Sequence, residues 1–336
     1  MAVARIPPNL FGIAFGLSGL AAAWLYASTA LGAPTAVGNA IAVLAAVTWV
    51  LLTLAYLRQG PRRILADSRD AALGPFLAVP VLAALVLGES LAAPAPTAGR
   101  VIVIVFLVAG LLLGGLLVGQ WMSGGLEETT FTTAFFLPIL GVGFIGSEAA
   151  SVVGLNSIAQ VYFGIGVVAW VFMSSVVLNR LFFRPRLPAP LVPTLAIEVA
   201  PPAIAGSAYF LLHPGPPDQL ALGIAGYAAL MIVAQVRLFP LYRALTFTPG
   251  FWSFTFPWAA MVTLALRWLV LEHPAGARVY GWILLAAVTG LVGAIAARTV
   301  VAGLRRQLLP SAPAAQLEET PSGELADVSR RAGLAA

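Results

Sequence analysis

Very few side chains in this 336-residue chain could do chemistry, and their types narrow the options. Cysteine is absent, which removes disulfides, thiolate metal sites and cysteine nucleophiles. The two histidines, His213 and His273, each precede a proline at the end of an apolar run and read as loop residues. Gly146-Ser147-Glu148 superficially suggests a serine hydrolase, but no G-x-S-x-G elbow surrounds Ser147 and no histidine lies inside an apolar run to act as base. No group of His, Asp and Glu has metal-ligand spacing, so neither a metal nor another cofactor is expected, and the chain does not read as an enzyme. What remains are ionisable residues set in long apolar segments: Glu148, Glu198 and Arg267. Charge in such a setting is costly and marks either an ion or proton path or a structural ion pair. Glu198 falls within reach of Arg237 or Arg243 and reads as half of an ion pair. Arg267 either draws anions, snorkels, or pairs with Glu148 or Glu272. Glu89 and Arg100 flank a short loop and read as helix anchors.

A second unusual stretch is aromatic. FTPGFWSFTFPWAA (247–260) places six rings around Pro257 within an apolar run. Proline lacks the backbone donor and its ring clashes with the carbonyl four residues back, at Ser253. In lipid such a defect is tolerated where a neighbouring group satisfies the backbone or where the segment lines a cavity. Arg267 lies eleven residues beyond Phe256, close to the same helix face and about 16 Å further along.

These residues must be held by membrane helices. The chain is 60% hydrophobic, 9% charged and has a mean hydropathy of +0.96, which fits a polytopic helical membrane protein and no soluble core. Apolar runs of about 20 residues predict helices near 9–31, 37–58, 73–91, 100–122, 133–153, 157–182, 193–212, 219–240, 250–271 and 277–304. The N-terminal run is longer than a signal-peptide core and reads as the first span. All eighteen basic residues are arginine, and their placement reports topology rather than nucleic-acid binding. Arg58, Arg62, Arg63, Arg69, Arg180, Arg184, Arg186, Arg237 and Arg243 share one set of connections. Arg5, Arg298, Arg305 and Arg306 fall on the same side, whereas the opposite connections hold Arg100 and Arg278. The positive-inside rule then puts both termini in the cytoplasm. Residues 1–308 read as one ten-helix membrane domain and 309–336, which lose the apolar pattern, as a disordered cytoplasmic tail.

Prolines divide the spans into two populations. Pro80, Pro138, the pair Pro201 and Pro202, and Pro257 fall in the third, fifth, seventh and ninth spans, while the even-numbered spans show no interior proline. The first span carries Gly12, Gly16 and Gly19 instead. The carbonyls released by the prolines, at Phe76, Ala134, Ile197, Glu198 and Ser253, must be buried or wet. Five helical hairpins, with the kinked odd helices inside and the straight even helices around them, satisfy that demand. At the proline level the inner helices carry Val79, Leu137, Ala200 and Phe256, with Phe15 before Gly16 as the first-span counterpart. A ring of such residues is an apolar constriction in which Phe256 is the largest plug. Glycine pairs at 12/16, 110/114 and 115/119 permit close helix approach, and Trp24, Trp121, Trp252 and Trp268 suit interfacial belts.

In order along the chain, PPNLFGIAFGLSGLAAAW (7–24), FFLPILGVGFIGSEAA (135–150), APPAIAGSAY (200–209) and TPGFWSFTFPWAA (248–260) resemble the tellurite-resistance/dicarboxylate transporter family, which includes the plant guard-cell slow anion channels. The resemblance implies an inner ring of five helices forming a pore, an outer ring around it, and a homotrimer with one pore per protomer. It also implies passive conduction of small anions such as chloride or nitrate, with a phenylalanine on the ninth helix closing the pore, a role that falls on Phe256. The family includes proton-coupled carriers of dicarboxylates, so a carrier of C4-dicarboxylates or of oxyanions such as tellurite or sulfite is the competing expectation, with Glu148 or Glu198 as its protonatable group. A third possibility is a membrane scaffold with no continuous bore. The expected setting is a bacterial inner membrane, with the lipid bilayer and small anions as partners.

Overall fold

The computed structural model describes residues 5–305, so the tail assigned to 309–336 lies outside the described residues. Among the described residues the chain is helical without strands. Ten helical segments are long and apolar enough to cross a membrane. They are Pro8–Leu31, Thr35–Leu57, Gly74–Leu91, Pro96–Met122, Thr133–Val152, Asn156–Phe183, Val192–Leu212, Gln219–Arg243, Pro249–Glu272 and Ala277–Leu304, here the first to tenth spans.

Burial separates these spans by parity. In the apolar windows of the odd-numbered spans 61–78% of residues are buried, against 11–28% in the even-numbered ones. Contacts between odd spans form a closed circuit: first with third, third with fifth, fifth with seventh, seventh with ninth, and ninth with first. Each even span packs against the odd span before it in the chain. The second, fourth, sixth and tenth also approach the next odd span around the circuit. The eighth departs from this rule. Its backbone packs on the seventh, and against the ninth it relies on side-chain contacts such as Tyr242 edge-on to Phe254 at 4.8 Å.

The odd spans share a second property that their sequences only hinted at. Each opens as a 3-10 helix and then converts to α-helix, at Phe11/Gly12, Ala78/Val79, Val199/Ala200 and Phe254/Thr255. In the fifth span a π-helical turn, Leu137–Gly141, separates the two forms. The prolines sit at this switch. Pro80 is second in its α-helix, Pro201 and Pro202 second and third, Pro257 third, and Pro138 second in the π turn. The first four N–H groups of a helix have no partner within it, so proline costs nothing there. The expected bend inside a continuous helix is therefore corrected to a change of helix type. Of the carbonyls expected to be released, those of Phe76, Ala134 and Ile197 accept i+3 bonds from the N–H groups of Val79, Leu137 and Ala200. The even spans need a correction too: the eighth runs on to Arg243 and contains Pro240.

Side-chain size decides how closely the circuit closes. A Cβ placed on Gly16 would lie 2.0 Å from Thr255 Oγ1 and 2.9 Å from the Trp252 ring, and one on Gly19 would lie 2.7 Å from Phe256 Cδ2. Glycine at both positions is what lets the first span meet the ninth. Gly110 and Gly114 serve the fourth span similarly, against Val142 and the Pro138 carbonyl, whereas Gly115 and Gly119 face open space and mediate no contact. Trp252 also departs from expectation. It is buried, and its indole N–H donates to Thr299 Oγ1 at 2.9 Å, tying the ninth span to the tenth.

At the end of the bundle where odd spans begin, a short helix, Pro61–Arg69, was not anticipated. It carries Asp67, which is buried. Arg5 lies 3.1 Å and Arg63 3.4 Å from its carboxylate, and the Tyr56 hydroxyl donates to it at 2.9 Å. One carboxylate thus joins the N-terminal segment, the second span and the short helix.

Candidate functional site

All five odd spans line one internal cavity of about 50 Å³, room for a water or two. Phe15, Val79, Leu137, Ala200 and Phe256, the five residues placed at one level by their spacing from proline, all reach it. Pro201 and Pro257 line it as well, whereas Pro80, Pro138 and Pro202 do not. Two of these belong to the framework: the Pro80 carbonyl accepts the Trp49 indole N–H at 2.8 Å, and Pro138 meets the fourth span at Gly114.

Phe256 is 6% exposed, and its ring lies flat on that of Phe15, with centroids 3.8 Å apart and planes inclined by 14°. The backbone on either side is held. The Thr255 hydroxyl donates to the Trp252 carbonyl at 2.7 Å, and Gly19 leaves the space that the Phe256 ring occupies. Phe256 therefore takes its position from two spans at once, with π-stacking added to apolar burial.

The lining is almost wholly apolar, and two polar residues in it escaped the sequence reading. Asn9 and Ser253 both face the cavity, and Asn9 Oδ1 is buried without a hydrogen-bond partner among the described residues. A signal for Ser253 was present, since it stands four residues before Pro257. Asn9 stands at the first residue of the predicted first span, where a polar side chain is ordinary and carries no signal of its own.

A second tier lies further along the same helices. Tyr26, Glu148 and Arg267 each stand eleven residues beyond a residue of the apolar tier (Phe15, Leu137 and Phe256), about 16 Å along a helix axis. The Arg267 guanidinium is 3.3 Å from Glu148 Oε1 and lies over the Tyr26 ring at 4.6 Å. Among the alternatives open for Arg267, pairing with Glu148 is the one the structure contains. One carboxylate thus meets one guanidinium beside a tyrosine ring, from the first, fifth and ninth spans.

Glu198 is placed elsewhere. The expected ion pair with Arg237 or Arg243 does not form: both carboxylate oxygens are buried without a partner, Arg237 is exposed, and Arg243 stacks over Phe239 at 5.9 Å. Neither Glu148 nor Glu198 lines the cavity. Outside the spans, Arg184 bonds Glu128 and holds its carboxyl below the usual range. Asp218 is likewise held low, by the Ala221 backbone N–H and the Tyr209 hydroxyl that donate to it.

Comparison with known proteins connects this geometry to others. Residues 5–300 match the sequence profile described as voltage-dependent anion channel. The tellurite resistance protein TehA homolog of Haemophilus influenzae is 26% identical over 294 residues, covering 85% of this chain and 88% of that protein. The S-type anion channel SLAH2 of Arabidopsis thaliana is 26% identical over 198 residues, which is 57% of this chain and 37% of the plant protein. The guard cell S-type anion channel SLAC1 of the same plant is 26% identical over 166 residues, or 47% of this chain and 29% of the channel.

Proposed function

Since the chain belongs to the voltage-dependent anion channel family, we propose that it passes small inorganic anions passively along the axis of its five odd spans, with Phe256 as the gate. The observation that carries this reading is the cavity to which every odd span contributes, filled at one level by Phe256 stacked on Phe15. An apolar constriction of that kind blocks a path sterically and by dewetting, without binding the ion. Weak binding suits conduction, because an ion held tightly leaves slowly. Chloride and nitrate are the substrate class, the arginine-rich end is cytoplasmic, the membrane is a bacterial inner membrane, and the working unit is a homotrimer with one path per protomer.

The competing reading is a proton-coupled carrier of dicarboxylates or oxyanions. Glu198, buried with both oxygens unpartnered, is the observation in its favour. That it is not among the residues lining the cavity weighs against it.

Currents across planar bilayers under chloride and nitrate gradients test the proposal. Wild type is expected to pass little current. Phe256→Ala is expected to raise it by on the order of tenfold, equivalent to about 1.4 kcal/mol off the barrier, with an anion-selective reversal potential. No current in either protein, together with malate uptake by proteoliposomes only under a proton gradient and its loss in Glu198→Gln, would replace the channel with the carrier.

A further inference from the structure

The outer face of the ninth span is open where the others are covered, because the eighth span does not close against it. Its apolar window is the least buried of the five odd spans, at 61%. The result is a groove of about 730 Å³ on the outside of the bundle, between the eighth and tenth spans. Phe251, Phe254 and Trp258 form its floor, with Phe239 and Leu291 on its walls. Arg243 and Arg298 stand in the groove, and a smaller hollow that shares Arg298 continues to Arg305. Arg298 and Arg305 are seven residues apart, two helical turns, and so lie on nearly one face. None of these three arginines has an acidic partner among the described residues.

We infer that this groove binds an anionic phospholipid, with its acyl chains along the aromatic floor and its phosphate among Arg243, Arg298 and Arg305. An apolar slot that ends in exposed cations at the end of a membrane helix matches a lipid's own division into chain and headgroup, and basic pockets between membrane helices take acidic headgroups. Guanidinium forks suit phosphate oxygens, which accept two parallel hydrogen bonds. A second copy of the chain fits less well. Of the acids at this end, Asp67 is held by Arg5 and Arg63, Glu128 by Arg184, and Asp70 caps the Ala72 and Leu73 N–H groups. That leaves Glu127 as the one exposed acid without a bond among the described residues to set against three arginines.

Native mass spectrometry of the full chain, titrated with phosphatidylglycerol or phosphatidylcholine of identical chains, tests this. Phosphatidylglycerol is expected to be retained at least tenfold better, each arginine contributing about fivefold. Arg243→Gln, Arg298→Gln and Arg305→Gln are expected to lower retention singly and to abolish the preference together. Arg237→Gln, outside the groove, is expected to leave it unchanged. Glycerol phosphate, which lacks the acyl chains, is expected not to compete. Equal retention of the two lipids, full competition by glycerol phosphate, or arginine variants that alter the oligomeric mass while lipid retention holds would each overturn the assignment. The last of these would show the groove to be covered by a second copy. Retention is read on the single variants if the triple variant does not fold.

Discussion

At the scale of the residue, Phe256 and Phe15 act as a pair. Their rings stack within one cavity, so the position of each depends on the other. Truncating either should remove the same obstruction, and the two effects on current should not add. We expect Phe15→Ala to raise conductance less than Phe256→Ala, because Phe256 keeps its support from Gly19 and the ninth helix. The double variant should gain little beyond Phe256→Ala alone. A double-mutant cycle on bilayer currents checks this, and additive effects would show two independent barriers. Phe256 was legible in the sequence because its aromatic neighbours and Pro257 mark the stretch. Phe15 was legible only by analogy of position, and its face-to-face contact with Phe256 was not, since 241 residues separate them.

At the scale of the element, helix type and helix approach do the positioning. Gly16 lets the first span sit against Thr255 and Trp252 with no room for a methyl group. Gly16→Ala should therefore cost about 1–3 kcal/mol through overpacking, whereas Gly115→Ala, in open space, should be neutral or slightly stabilising through helix propensity. Thermal unfolding in detergent distinguishes the two, and equal melting temperatures would count against a tight contact between the first and ninth spans. Helix starts offer a second check. Asp218 caps the eighth span through the Ala221 N–H and accepts the Tyr209 hydroxyl, which together hold its carboxyl below the ordinary value. A depressed carboxylate contributes stability that is complete above about pH 4, the ordinary aspartate range, and is lost as pH falls through its lower folded value. Asp218→Ala should lower the melting temperature at pH 7, and the gap to wild type should narrow below about pH 4. A gap that does not depend on pH would place the cap's contribution elsewhere.

At the scale of the whole molecule, the closed circuit of odd spans is where function and stability meet. Ten apolar segments demand burial, but only the odd ones achieve it within one chain, and the even ones keep their apolar sides outward for lipid or a neighbouring copy. We expect three protomers in the particle, checked by light scattering of the detergent-solubilised protein with detergent mass subtracted. A monomer at membrane-like protein densities would remove the trimer from the proposal and leave one path per chain intact. The groove beside the ninth span belongs to this scale too, because it arises from how the eighth span leans, which no local sequence feature announces.

The sequence by itself determined that this is a ten-span helical membrane protein, and why it did so is elementary. Twenty consecutive apolar residues have one stable home, and arginine density at alternate connections is the basis of the orientation proposed above. It also marked the residues of the apolar tier, because proline at the start of an α-helix has a local signature. Only the tertiary structure decided what these marks mean together. It showed that the prolines sit where a 3-10 helix becomes α, that Phe15 lies on Phe256, and that Arg267 pairs with Glu148 while Glu198 has no partner. The two contacts among these, Phe15 on Phe256 and Arg267 with Glu148, depend on which helix faces which, and that choice is made by packing between residues more than a hundred positions apart, beyond the reach of any local pattern.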